Sequence, residues 1–144
     1  MLQDGVLGWV ERLACEYFVV VCVGGGTQIN EAFTKAGLPV GMFGPLGRET
    51  DSFQERQLAR DVLEQNQVGI QDRLAEIGVH VSVLIPVLDI GTVLCHVNGD
   101  QFVLTAYHGF DVLYVVTTPD RVEGKRKSFA PYPKIQVVGF PQDS

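Results

Sequence analysis

The sequence predicts an α/β protein with a largely parallel sheet and flanking helices. Three observations carry that prediction. Residues 17–23, YFVVVCV, and 111–117, DVLYVVT, are mainly apolar runs, of the kind found in strands covered on both faces. Other stretches space their apolar residues as an amphipathic helix does. Helical and strand-like segments alternate along the chain, which favours crossover connections and parallel pairing.

Residues 3–16 predict an amphipathic helix, with Val6, Leu7, Val10, Leu13 and Ala14 on one face. Residues 17–23 predict a buried strand that ends at glycine. Residues 28–36 predict a short helix, with Gly37 placed to end it. LPVGMFGPLGRETD (38–51) is punctuated by Gly and Pro and predicts a loop with short extended pieces. The longest helical pattern runs from about 51 to 77. Asp51 can cap it, with Gln54 three residues on. Leu58, Val62, Ile70, Leu74 and Ile77 form its stripe, and Gly78 stops it. Strands follow at 79–87 and 92–97, a helix at about 100–108, a strand at 111–117, a loop, and a last strand at 134–140.

The chain of 144 residues fits one domain. Hydrophobic residues at 46% and charged residues at 19% indicate a globular composition. A net charge of −6 argues against a nucleic acid or an anionic membrane as main partner. A phosphate ligand stays open, because a pocket's local field can differ from the global one. No apolar run approaches the roughly 20 residues of a membrane helix. The start, MLQDGVLGWVERLACE, has acids and no basic n-region, so a cytoplasmic protein is expected. Cys15, Cys22 and Cys95 form no CxxC pair and are expected as reduced, buried thiols. His80, His96 and His108 form no metal-ligand pattern, and His96 is expected to be half-buried and hydrogen-bonded.

Four segments are chemically suggestive. In VVCVGGGTQINE (20–31) a strand ends in Gly24, Gly25 and Gly26 and a helix opens. Glycines let backbone approach an anion, and a helix start offers unpaired N–H groups. A tight strand–helix turn without ligand is the alternative. No GxGxxG or GxxxxGK[ST] is present, so neither the Rossmann nor the Walker reading is supported. HVNGDQF (96–102) sets Asn98 and Asp100 at another strand–helix junction, where either can also serve as a helix cap. VVTTPDRVEGKRK (115–127) begins where a buried strand ends, the usual place for ligands in open α/β sheets. Thr117, Thr118 and Asp120 can hydrogen-bond a ribose or base. Arg121, Lys125, Arg126 and Lys127 can meet polyphosphate, or form a solvated loop. Arg48, in GRETD (47–51), can clamp a carboxylate or phosphate.

Taken in order, these segments resemble the amino acid kinase family, which includes acetylglutamate kinase, glutamate 5-kinase, uridylate kinase and isopentenyl phosphate kinase. VVVCVGGGTQINEAFTKAGLP is similar to that family's strand, glycine cluster and helix. LGRETDSFQERQLARDVLEQNQ is similar to its G-x-R-V-T-D stretch and long helix, with Arg48, Thr50 and Asp51 in place. Asn98, Gly99 and Asp100 stand for its N-x-D motif, and VVTTPDRV for LLTDxDGV.

The resemblance implies a three-layer α/β/α fold and phosphoryl transfer from ATP, with Mg2+ carried by the nucleotide, to a small-molecule phosphate acceptor. By the resemblance, Gly24, Gly25 and Gly26 hold the acceptor and the transferred phosphate. Arg48 and Asn98 bind the acceptor, and Asp100 organises the charged groups as the catalytic residue. Thr117, Thr118, Asp120, Arg121 and Lys125 hold the nucleotide. Such chemistry rests on positioning and electrostatic stabilisation.

Relative to the family the chain reads as truncated at both ends. It opens at the helix after the strand that carries a lysine and a glycine pair, and it stops before a second lysine. Thr118 stands where an acid is usual and Arg121 where glycine is usual. Missing cations weaken transfer by several kcal/mol of barrier. A missing strand exposes sheet edge and apolar surface, so a homo-oligomer is expected. The alternative is a non-catalytic ligand-binding or assembly protein that keeps the fold. An unrelated dinucleotide module would need a fingerprint loop that the glycine triplet does not supply.

Overall fold

Three apolar clusters organise the chain, and one long helix joins two of them. The computed structural model describes residues 4–141. Residue 3, the first of the predicted N-terminal helix, lies outside them. Helix α1 (Asp4–Ala14) buries Val6, Leu7 and Val10 against Val23, Ile70, Leu74, Val79 and Val83. Helix α2 (Gly26–Lys35) and the first half of α3 (Phe53–Glu76) bury Ile29, Phe33, Ala59 and Leu63 together. The α3 helix has 24 residues, about 36 Å of rise, which lets its two halves serve two clusters. The third cluster joins Leu113, Val115, Phe129, Ile135 and Val137.

The architecture is mixed α/β, but the described strands do not form one large parallel sheet. They form four two-stranded ladders. β1 (Val20–Cys22) pairs parallel with β4 (Ser82–Leu84), and β7 (Leu113–Thr117) pairs parallel with β8 (Ile135–Gly139). β2 (Met42–Gly44) and β3 (Gly47–Glu49) make an antiparallel hairpin where the sequence predicts mostly loop. β5 (Val87–Ile90) and β6 (Val93–His96) make another, turning at Gly91 with φ +66. Helix α1 bridges the two parallel ladders. Trp9 meets Tyr114 of β7 edge-on at 4.9 Å and Phe140 at 5.6 Å.

Several predicted elements need correction. The strand predicted over 17–23 is only three residues long. After α1 the N–H of Tyr17 donates back to Leu13 O, and Tyr17 and Phe18 remain exposed. The strand predicted over 79–87 is interrupted because Pro86 has no N–H to give a ladder. Val87 N–H instead donates to Ile85 O. Ser52, not Asp51, caps α3: its Oγ accepts from Glu55 N at 3.1 Å, while Glu55 Oε2 accepts from Asp51 N. The stripe of α3 is centred on Ala59, Leu63, Ile70 and Leu74, and Ile77 is exposed.

Helix α4 (Gly99–Thr105) gives way to a 3-10 turn at Tyr107–Gly109. The predicted loop after β7 is a 3-10 turn (Pro119–Arg121) that runs into helix α5 (Val122–Ser128). Cys15 and Cys22 are exposed and Cys95 half-buried, all as free thiols. The expectation of burial fails for Cys22 because β1 has one ladder neighbour among the described residues.

Candidate functional site

Arg48 ties the β2–β3 hairpin to the start of α2. Its Nη1 donates to Val40 O, and its Nη2 donates to Asn30 Oδ1 at 2.6 Å and to Gly26 O at 3.3 Å. Its guanidinium lies 4.7 Å from the Phe43 ring centroid and 5.4 Å from that of Phe33. Burial pulls its pKa below the ordinary arginine value, yet guanidinium stays protonated in proteins. The expected acceptor clamp is therefore also a structural clamp. Three of its five N–H donors are used in this way, and its Nε–H and second Nη1–H find no protein acceptor among the described residues.

The glycine triplet has a divided role. Gly24 O accepts from Asn66 Nδ2 at 3.3 Å, which brings α3 against the strand end. A Cβ on Gly25 would lie 2.5 Å from Asn66 Nδ2 and 3.3 Å from Leu63 Cδ2. Gly25 is thus required by helix packing. A Cβ on Gly24 or Gly26 would meet open space. The N-cap residue of α2 is Gly25, which has no side chain to cap the first N–H groups, so among the described residues they keep their capacity for an anion.

The hairpin reaches the second motif through Gly47. This residue has φ +106, and a Cβ there would lie 2.8 Å from Asn98 Cβ. The Asn98 Oδ1 accepts from Asp100 N at 2.8 Å and caps α4. Asp100 Oδ2 in turn accepts from Lys125 Nζ at 2.7 Å. Contacts therefore run from Gly26 through Arg48 and Gly47 to Asn98, Asp100 and Lys125.

Thr117 ends β7 and Thr118 precedes the 3-10 turn that holds Asp120 and Arg121. The Thr118 hydroxyl holds the exposed Asp120 carboxyl below its usual pKa, with weaker help from Arg121. The nucleotide loop expected at 117–125 is largely helical. Its turn packs on the end of β8, where a Cβ on Gly139 would lie 2.8 Å from Val122 Cγ2. Only Lys125 of this segment joins the contact line.

Sequence reasoning missed Asn30, Asn66 and the setting of His96. Nothing in their local sequence marks Asn30 and Asn66, because each acts on a segment distant in sequence. The buried Nε2 of His96 has no hydrogen-bond partner among the described residues, contrary to the expectation of a satisfied side chain. Burial first, then the charges of Arg56, Arg48 and Arg60, push its pKa below 6.5, while a hydrogen bond to the Arg56 backbone opposes them. Among the described residues no group of three or more His, Cys, Asp or Glu could hold a metal ion, and no helix is long and apolar enough to cross a membrane.

A scan of the chain against protein-family models, a search of curated proteins and a search of solved structures each find no match.

Proposed function

We propose that this chain binds a small phosphate-bearing ligand and transfers phosphoryl from ATP to a small-molecule acceptor, as a relative of the amino acid kinases. The contact line from Gly26 through Arg48 and Asn98 to Asp100 and Lys125 supports the reading. Residues chosen from four separate segments meet there. Uncapped N–H groups of α2 and the Arg48 Nε–H would take phosphate oxygens. Asp100 would orient Lys125 toward the nucleotide phosphates. Bound ATP would bring Mg2+, which neutralises phosphate charge. The reading takes α1, which packs against both parallel ladders, as a flanking layer of an amino acid kinase type fold.

The test is calorimetry of Mg–ATP against the full chain, with Lys125→Ala and Arg121→Ala alongside, followed by an acceptor screen for ADP release. Saturable binding weakened by Lys125→Ala, with turnover on some acceptor, is the expected result. No binding at millimolar Mg–ATP, in a chain shown to be folded, sinks the kinase reading.

A second reading is a non-catalytic assembly protein. The hairpin favours it, because Met42, Phe43 and Leu46 are 78%, 63% and 74% exposed. Clustered exposed apolar side chains mark interaction surfaces. Sedimentation showing a homo-oligomer that Leu46→Glu dissociates, without ATP binding, would favour it over the kinase.

A further inference from the structure

A groove of about 370 Å³ runs between the C-terminal end of α5 and β8. Arg126 and Tyr132 line one side, and Ile135, Gln136 and Val137 line the other. Successive residues of a strand point to opposite faces, so a groove that touches three in a row follows the strand's edge. No residue of β7 lines it, so this is the edge turned away from β7. We propose that this edge takes an extended acidic segment of a partner protein, added to β8 as a further strand. The inference is independent of phosphoryl transfer, because Arg126 and β8 lie outside the contact line from Gly26 to Lys125.

Main chain and charge together name the occupant. Leu113 N–H donates to Lys134 O, and Phe140 N–H donates to Thr117 O. In the parallel register that sets Leu113 on Ile135 and Val115 on Val137, the main chain of Gln136 and Val138 is committed to β7. The N–H and C=O of Val137 therefore face the groove, while its side chain belongs to the Leu113 cluster. The same outward orientation recurs at Gly139, which is exposed. Among the described residues β8 has no second ladder partner, and unpaired main-chain groups along an edge are a template for strand addition. Ile135 N–H already donates to Tyr132 O, and Pro133 has no N–H, so pairing starts at Ile135 O.

Arg126 is the one charged side chain among the lining residues. It is 60% exposed, and its ion pair with Glu123, at 3.9 Å, is long. Residues 121–134 carry Arg121, Lys125, Arg126, Lys127 and Lys134 against one acid, Glu123, although the whole chain has a net charge of −6. An acidic segment is attracted there, whereas a second copy of this acidic chain is repelled overall. A nucleic acid has the charge but no N–H and C=O ladder to offer β8.

The test titrates a short, fluorescently labelled peptide of alternating valine and glutamate into the full chain, read by polarisation. A peptide with lysine in place of glutamate is the charge control. Two further acidic peptides carry N-methyl groups on alternate residues, one set or the other, since only one set faces β8 in a ladder. The acidic peptide is expected to bind saturably and to shift the Val137 and Gly139 amides in NMR. The lysine peptide and one N-methylated peptide should bind about tenfold more weakly, and the other N-methylated peptide within about threefold of the parent. Arg126→Glu, an exposed change, should weaken the acidic peptide about tenfold and leave the urea midpoint unchanged. Val137→Pro should abolish binding by removing the outward N–H, and where that variant fails to fold, the N-methylated pair decides with the chain unaltered. No binding at millimolar peptide, equal binding of the two N-methylated peptides, or equal binding of the lysine peptide overturns the proposal. A chain that takes no peptide and sediments as an oligomer that Val137→Pro dissociates would give the edge to a second copy, and overturns it as well.

Discussion

Lys125 Nζ and Asp100 Oδ2 lie 2.7 Å apart, joining the middle of α5 to the first turn of α4. The two side chains are 26% and 38% exposed, so water screens the pair substantially. A double-mutant cycle of Asp100→Asn and Lys125→Met, read by urea unfolding, should give a coupling of about 0.5–1 kcal/mol. The coupling should shrink in high salt. A coupling of zero at low salt would remove the pair as a link between the helices.

Arg48→Lys should be costly although it conserves charge. A lysine cannot reach Val40 O, Gly26 O and Asn30 Oδ1 at once, nor stack as a plane on Phe43. Loss of these charge-assisted bonds should destabilise the chain by about 1.5–3 kcal/mol. Chemical denaturation of the two proteins measures it. Equal stability would mean that the hairpin is held by its apolar contacts instead.

The glycine triplet should respond unevenly to alanine. Gly25→Ala pushes Asn66 away from Gly24 O and crowds Leu63, at a cost of about 1–2 kcal/mol. Gly24→Ala and Gly26→Ala meet open space and should stay within about 0.5 kcal/mol of the parent. Thermal unfolding of the three variants distinguishes these cases. If Gly24→Ala or Gly26→Ala leaves the fold intact but weakens phosphate binding, backbone approach by a ligand gains support.

His96 should make the fold sensitive to acid. Its folded-state pKa is lowered from 6.5 by burial, with added repulsion from Arg56, Arg48 and Arg60. The unfolded chain therefore takes up the proton first as pH falls. Stability from this residue is present above about pH 6.5 and is lost as pH drops toward the lower folded value. His96→Phe should flatten the dependence of the urea midpoint between pH 7 and pH 5. An unchanged slope would assign the acid sensitivity to the carboxylates.

Gly47→Ala should disturb both halves of the site. A φ of +106 is unfavourable for alanine, and the added carbon meets Asn98 at 2.8 Å. A loss of about 1–3 kcal/mol is expected. Urea unfolding checks the magnitude. The Asn98 cap adds its own test, since Asn98→Ala should cost about 1 kcal/mol by freeing Asp100 N.

The sequence by itself determined most of the longer helices and the apolar strands, because these follow from local periodicity and from Gly and Pro punctuation. It identified α1, α2 and α3, the parallel character of β1 and β7, and Asn98 as a candidate cap. Tertiary structure decided the rest. Whether three-residue strands share one sheet depends on ladder partners distant in sequence, so the four separate ladders were not legible. The helix α5 reads locally as a basic loop, since Gly124 and the charges around it weaken the pattern. It is held where Phe129 enters the cluster of Leu113 and Ile135. The same reason governs the site. Residue types able to hold an anion can be read one segment at a time, but their meeting cannot. Only folding spends most of the Arg48 donors on Val40, Gly26 and Asn30, and only folding brings Lys125 to Asp100.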